Sequence, residues 1–270
     1  MKRFQLVVGL VLVGLVVASA IVSLFWTPFD PIQVDGANRL RPPGWPHLLG
    51  TDGFGIDIVS QLLVGARATL LVGIVSVGVS AVVGVPLGMV AGQLGGWLDE
   101  VVMRAADIVY AFPALILAML FASVWGASTV TAMAAIGIST IPAFARVSRA
   151  GALQVVASDF VLAARVSGTS RLGIAVRHVG PNIAPVVGVQ ASVVFALAIL
   201  AEAALSYLGL GTPRSVPTWG NMLRQAQDQL FTAPLQSVWP GLAIALAVLG
   251  FNLLGDGLRD YLDPRLREVQ

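Results

Sequence analysis

What most limits the fold of this chain is where its charges are missing. Five stretches contain no Asp, Glu, Lys or Arg: Phe4–Phe29, Ala68–Leu98, Ile108–Ala145, Ile183–Ala201 and Gln229–Gly255. A helix that crosses a bilayer needs about 20 mostly apolar residues, and each run is at least of that order. Only 11% of the residues are charged and 57% are hydrophobic, whereas about a quarter of a soluble domain is charged. There is too little polar surface for a soluble globule and too much apolar area for a disordered chain. The sequence reads as an all-α, polytopic membrane protein.

The run Ile108–Ala145 has 38 residues, too many for one helix, and Gly126-Ala127-Ser128 near its middle is turn-like. It is read as two helices, the first starting near Val101 and carrying Arg104 and Asp107 at its mouth. Six spans follow. The expected organisation is an N-terminal anchor helix over 1–29, an extracytoplasmic segment over 30–67 and a five-helix core over 68–256. A polar loop over 146–182 interrupts the core, and a cytoplasmic tail occupies 257–270. Lys2-Arg3 and Ala18-Ser19-Ala20 are also features of a signal peptide. The apolar run continues to Phe29, longer than the usual cleaved segment, which favours a retained anchor. With both termini in the cytoplasm, eleven of the sixteen basic residues lie inside, in keeping with the positive-inside rule.

Composition excludes several chemistries. Cys is absent and His occurs only at positions 47 and 178, so thiolate, disulfide and His-rich metal sites are ruled out. The net charge of +2 does not imply a nucleic-acid partner. The one lysine is Lys2. A phosphate-binding P-loop needs a lysine after glycine, so the chain cannot hold ATP in that way. The spans are nearly free of ionisable groups. Asp107, Glu202 and Asp256 lie near span ends and read as solvated or interfacial charges.

The stretch Arg146–Asn182 holds Arg146, Arg149, Arg165, Arg171 and Arg177 against the single acid Asp159. Five arginines at mid-bilayer would cost on the order of 12 kcal/mol, so this stretch lies in water or at the interface. Ser158-Asp159 suits a helix start, with a capping side chain and an acid in the first turn. Gly168 punctuates, and Thr169 or Ser170 can cap a second short helix. There Leu172, Val176 and Val179 share one stripe, and Pro181 and Pro185 are expected to end the helix before the fifth span. This basic amphipathic pair could lie on anionic lipid or dock into the groove of a cytoplasmic partner.

The run Asp159-Phe160-Val161-Leu162-Ala163-Ala164-Arg165-Val166-Ser167-Gly168, followed by Arg177-His178-Val179-Gly180-Pro181-Asn182, resembles the EAA signature of ABC importer permeases. Two departures stand out. Leu162 replaces the Glu of the name, and Gly180 replaces the Leu before Pro181. Further stretches resemble the C-type permeases of the dipeptide, oligopeptide and nickel branch. They include His47-Leu48-Leu49-Gly50-Thr51-Asp52, Gly95-Gly96-Trp97-Leu98-Asp99, Leu205-Ser206-Tyr207-Leu208-Gly209-Leu210-Gly211, Thr218-Trp219-Gly220 and the C-terminal run from Asn252 through Leu262-Asp263-Pro264-Arg265.

The resemblance implies the type I ABC importer permease fold in the cell membrane and half of a translocation pathway. It implies a homologous second permease subunit, two ATPase subunits that hold ATP and Mg, and an extracytoplasmic substrate-binding protein. This chain itself would bind no cofactor. Short peptides are the first expected cargo, and nickel or another small solute the second. Contact with the ATPase is expected through Asp159, Phe160, Ala163, Ala164, Arg165, Gly168 and Arg171. An ion-coupled secondary transporter, with Glu202 or Asp107 as the working carboxylate, is the rival from another class.

Two further readings concern packing and the outer face. Gly84, Gly88, Gly92 and Gly96 recur every four residues, a small-residue stripe that lets helices approach closely. Five prolines between Pro28 and Pro46 bar regular helix from the first outer segment. The second outer segment, Leu205–Val238, reads as turns followed by a short helix over Met222–Gln229. Trp219 and Trp239 suit an interfacial belt.

Overall fold

Asp57, Ser128, Ser170 and Thr218 each cap a helix start with a side-chain oxygen. In the computed structural model, which describes residues 2–213 and 215–262, ten α-helices follow one another. The motif residues Asp263-Pro264-Arg265, together with Arg214 and Arg267, lie outside the described residues.

Helix α1 spans Lys2–Phe25. Helix α2, Ile58–Leu94, starts at Asp57, whose carboxylate accepts from the Ser60 amide and hydroxyl at 2.8 Å each. It therefore begins ten residues before the expected Ala68. The intervening Arg67 is accommodated because its Nε donates to Ser23 Oγ of α1 at 2.5 Å. Its 37 residues measure about 55 Å, so α2 reaches well past a hydrocarbon core of about 30 Å.

Helices α3 (Gly96–Ala111) and α4 (Ala114–Trp125) replace the single third span, with an 81° bend between them. The cause is Pro113. The residue before a proline is pushed out of the helical region, and Phe112 is extended at φ −86°, ψ 120°. Counting the bent pair as one broken span gives six, with five unbroken helices long and apolar enough to cross a membrane.

Helix α5, Thr129–Val156, is capped by Ser128, which accepts from the Thr131 amide at 3.1 Å. It runs ten residues past Arg146, so Arg146 and Arg149 sit on a helix rather than in a loop. Each has a carboxylate partner on α3. Arg149 grips Asp99 through Nε and through Nη2 at 2.5 Å. Arg146 reaches Asp107 at 2.7 Å and stacks over the Tyr110 ring. After the short helices α6 (Asp159–Val166) and α7 (Arg171–Ile174), a π-helical turn over Ala175–Val179 leads straight into α8, Gly180–Leu208. Pro181 therefore does not stop a helix. It occupies the first turn of α8, where its missing N–H costs little. Helix α9, Trp219–Gln227, and α10, Leu235–Leu262, complete the chain. Among the described residues there is no strand, only an isolated bridge from Thr51 to Asp57.

Helix α2 is the spine, and its closest partner is α5. A Cβ on Gly84 would sit 2.6 Å from the Ile141 carbonyl, and one on Gly92 2.7 Å from the Arg149 carbonyl. A Cβ on Gly88 would meet the Ala145 carbonyl. The same face continues upward as Ser76 and Ser80, whose hydroxyls donate to the Met133 and Gly137 carbonyls of α5 at 3.2 and 3.0 Å. Gly96 departs from the expected stripe. It lies beyond the end of α2 at φ +60° with open space around it, because the chain has already turned at Gly95 into α3.

Two more expectations change. Trp219 is buried, 3% exposed, in the cluster that joins α1, α2, α8, α9 and α10, and its indole N–H donates to the Leu62 carbonyl at 3.1 Å. It is a core residue and not a member of an interfacial belt. Glu202 is 1% exposed, not solvated. One turn of helix brings Ser206 beneath it, and that hydroxyl donates to Glu202 Oε1 at 2.7 Å.

Candidate functional site

The polar insert folds into a compact hairpin at one end of the bundle. Ser158 sits at the start of α6 but leaves that helix uncapped. Its hydroxyl donates back to the Val155 carbonyl at 2.5 Å, while its own carbonyl accepts from the Val161 and Leu162 amides. Gly168 ends α6 at φ +82°, a left-handed conformation that glycine enters without strain. The Gly168 and Thr169 amides then close on the Arg165 and Ala164 carbonyls, as in a glycine-terminated helix. Ser170 caps α7 by accepting from the Gly173 amide at 3.1 Å.

One apolar pin seats the hairpin. Val161, Ile174, Val179 and Ile183 bury together with Ala152 of α5, and Val85 and Met89 of α2 pack against them. The buried stripe is thus Ile174, Val179 and Ile183, not Leu172, Val176 and Val179. Leu172 and Val176 are 74% and 65% exposed. The π turn explains the shift. Its wider turn moves the chain by part of a residue, so the burying positions fall five and then four apart. A polar contact adds to the seat: Gln93 Nε2 of α2 donates to the Arg171 carbonyl at 2.9 Å.

The opposite face is open. Asp159, Phe160, Ala163, Arg165, Gly168 and Arg171 are exposed, and Ala164 is half-buried. Between them stand Leu162 and Val166, the latter 91% exposed, with Arg177 beside Val176. Phe160 lies 6.0 Å from the His178 ring. The hairpin therefore presents apolar side chains and guanidinium groups to its surroundings while its seat is anchored in three long helices. An exposed apolar face with a basic rim suits either the groove of a protein partner or an anionic lipid surface.

Sequence reasoning missed two things here. Gln93 gave no signal, since an isolated Gln near a helix end is ordinary. Ser76 and Ser80 were findable, because they continue the four-residue spacing of Gly84, Gly88 and Gly92. Among the described residues no three His, Asp or Glu come close enough to hold a metal ion.

Comparison with known proteins adds the following. Residues 84–268 match the family described as "Binding-protein-dependent transport system inner membrane component". The chain is 38% identical to the dipeptide transport system permease of Alkalihalophilus pseudofirmus, over 98% of this chain and 88% of that one. It is 39% identical to the glutathione transport system permease of Pectobacterium atrosepticum, over 94% and 86% of the two chains. It is 35% identical to the nickel transport system permease of Escherichia coli, over 98% and 96%.

Proposed function

This chain belongs to the inner membrane components of binding-protein-dependent transport systems, and from that premise we infer that it is the half-pathway of an ATP-driven peptide importer. It is a multi-pass membrane permease subunit of an ABC importer. A homologous permease supplies the other half, two ATPase subunits hold ATP and Mg, and an extracytoplasmic binding protein delivers the solute. The termini face the cytoplasm, which puts the hairpin inside and the segments 26–57 and 209–234 outside.

The observation that carries this reading is the two-faced hairpin. Its inner face is locked to α2, α5 and α8 through Val161, Ile174 and Val179. Its outer face displays Phe160, Leu162, Val166 and Leu172. An ATPase that closes on ATP moves the exposed face, and the locked face carries that motion into the spans. This is a free-energy link between two distant sites through an element with two arrangements. Peptides come first as cargo because dipeptide, peptide and glutathione permeases are among the most similar relatives.

The test is uptake by the reconstituted assembly, with dipeptides and tripeptides in one arm and nickel in the other. Peptide uptake that needs ATP and stops with Ala164→Asp supports the reading. Nickel uptake without peptide uptake replaces the cargo. Uptake that persists with no ATPase subunit present overturns the reading altogether.

A further inference from the structure

We propose that the face left open by α8 and α10 together is the wall of the inner, cytoplasmic part of the translocation path, and that Gln190 and Asn252 on it hydrogen-bond the backbone of the passing peptide. The proposal rests on the peptide-importer reading above, with the hairpin end of the bundle in the cytoplasm.

Each of the two helices has one side without a neighbour. On α10, the Phe251 ring stacks on Phe195 of α8 at 4.0 Å, and a Cβ on Gly255 would sit 3.1 Å from the Ser192 side chain. Gly250 and Gly257 face Leu12 and Leu6 of α1. The remaining side carries Ala245, Leu249, Asn252 and Asp256, at i, i+4, i+7 and i+11, and all four are exposed. On α8, Ala198 and Leu205 bury against α2 and α5, and Ala196 and Ile199 against the cluster that includes α10. The remaining side carries Val186, Gln190, Val193 and Leu197 at the same spacing, with Gln190 half-buried and the others exposed. Phe195 meets Phe251 while Ser192 meets Gly255, so the helices run antiparallel. Each stripe lies about 100° past the α8–α10 contact in the chain direction. In an antiparallel pair, that rotation opens both stripes to the same side of the molecule.

Both amides lie within the hydrocarbon layer. Gly9 of α1 packs against the Leu253 and Leu254 backbone. It stands five residues past Phe4, where the apolar run begins, which places Asn252 about 8 Å inside the layer. The contact of Gly255 with Ser192 and with the Val189 carbonyl puts Gln190 at a similar depth. Gln93, Asn182 and Gln236 each donate to a backbone carbonyl, whereas Gln190 and Asn252 have no hydrogen-bond partner among the described residues. Against lipid their donors and acceptors would stay unmatched, and polar groups at this depth face protein or a water-filled path. The order along the stripes favours water. Asp256 lies one turn inward of Asn252, and the exposed Arg259 lies beyond it. Outward of the amides, Val193, Leu197, Leu249 and Ala245 are apolar. Polarity thus rises toward the cytoplasm, as in a passage that floods from its inner end. Each amide offers donors and an acceptor, which match the carbonyl and N–H groups of a peptide backbone.

The experiment uses the full assembly in inside-out vesicles and a small, charged, membrane-impermeant methanethiosulfonate. Gln190→Cys and Asn252→Cys are compared with Val11→Cys, a 56% exposed position of α1 at the same depth. Without ATP, the first two are expected to react and Val11→Cys to stay unlabelled. Trapping with ATP and vanadate is expected to slow both reactions about tenfold or more, because the inward-open form becomes a minor state. No reaction at either position overturns the proposal and assigns the face to lipid or to the second permease. Rates that ATP and vanadate leave unchanged overturn it too. The double variant Gln190→Leu, Asn252→Leu is the second measurement. It is expected to keep its ATPase subunits and to lower peptide uptake about fivefold or more, the effect of two lost hydrogen bonds. A double variant that melts higher and transports normally has lost only lipid-facing amides, which overturns the proposal. Nickel uptake without peptide uptake, with the labelling as expected, removes the peptide reading and keeps this face as the path.

Discussion

The side-chain amide of Gln93, in the last turn of α2, donates to the backbone carbonyl of Arg171 at the start of α7, 2.9 Å away. A residue of the spine helix α2 is thus tied directly to the element expected to meet the ATPase. The bond is exposed and its net stabilisation is about 0.5–1.5 kcal/mol, small against the fold but placed on the path of the motion. Gln93→Leu is expected to leave ATPase association intact and to lower the amount of peptide moved per ATP hydrolysed. Parallel assays of hydrolysis and uptake in one preparation measure that ratio, and an unchanged ratio removes Gln93 from the path.

The α2–α5 contact is expected to show a sharp contrast between glycines. Gly88 lies against the Ala145 carbonyl, where a Cβ finds no room, so Gly88→Ala should destabilise by about 1–3 kcal/mol. Gly78 lies on the same helix with nothing within 4 Å. Gly78→Ala should be neutral or stabilising by up to about 1 kcal/mol. Thermal melting of the two variants in detergent decides it.

The two arginine pairs between α3 and α5 should differ in strength. Arg149 and Asp99 are bidentate, with side chains 35% and 17% exposed. Arg146 and Asp107 make a single contact and are 42% and 55% exposed. Exposed pairs contribute at most about 1 kcal/mol, and partly buried bidentate pairs somewhat more. A double-mutant cycle is expected to give a coupling of about 1–2 kcal/mol for Arg149 with Asp99 and less than about 0.5 kcal/mol for Arg146 with Asp107.

Glu202 separates this account from an ion-coupled carrier. Its Oε1 accepts from Ser206, an arrangement that Gln can reproduce in shape. Glu202→Gln is expected to keep ATP-driven uptake within about twofold of the unchanged chain. Glu202→Ala leaves Ser206 without its acceptor and opens a cavity, at a cost of about 2–4 kcal/mol. Loss of uptake in a stable Glu202→Gln assembly would point to the carboxylate as a working group.

Much of this architecture could be read from residue spacing, and the failures have physical causes. The spans follow from the charge-free runs, and the hairpin from Ser158, Gly168 and Ser170. The break at Phe112-Pro113 was hidden inside an apolar run, although a proline there always threatened it. Arg67 and Arg146 bounded charge-free runs and Arg149 was read into the polar stretch, but all three lie inside helices, because Ser23, Asp107 and Asp99 receive them. Such partners come from distant positions that no local pattern reveals. The π turn at Ala175–Val179 had no signature, so the stripe through Leu172 was assigned to the wrong side. Glu202 was placed at a solvated span end because it follows the run Ile183–Ala201, and Trp219 in an interfacial belt because of its residue type, yet tertiary packing buries both.

The central claim is that the outer face of the hairpin lies in the cytoplasm, covered by the ATPase. The chain contains no cysteine, so single cysteines report without background. Val166 is 91% exposed and Phe231 is fully exposed. The decisive measurement is labelling of Val166→Cys and Phe231→Cys with a membrane-impermeant maleimide. The account predicts that intact cells label Phe231→Cys alone. It also predicts that inside-out vesicles label Val166→Cys only after the ATPase subunits are stripped away. Labelling of Val166→Cys from outside the cell, or equally fast with the ATPase bound, would contradict it.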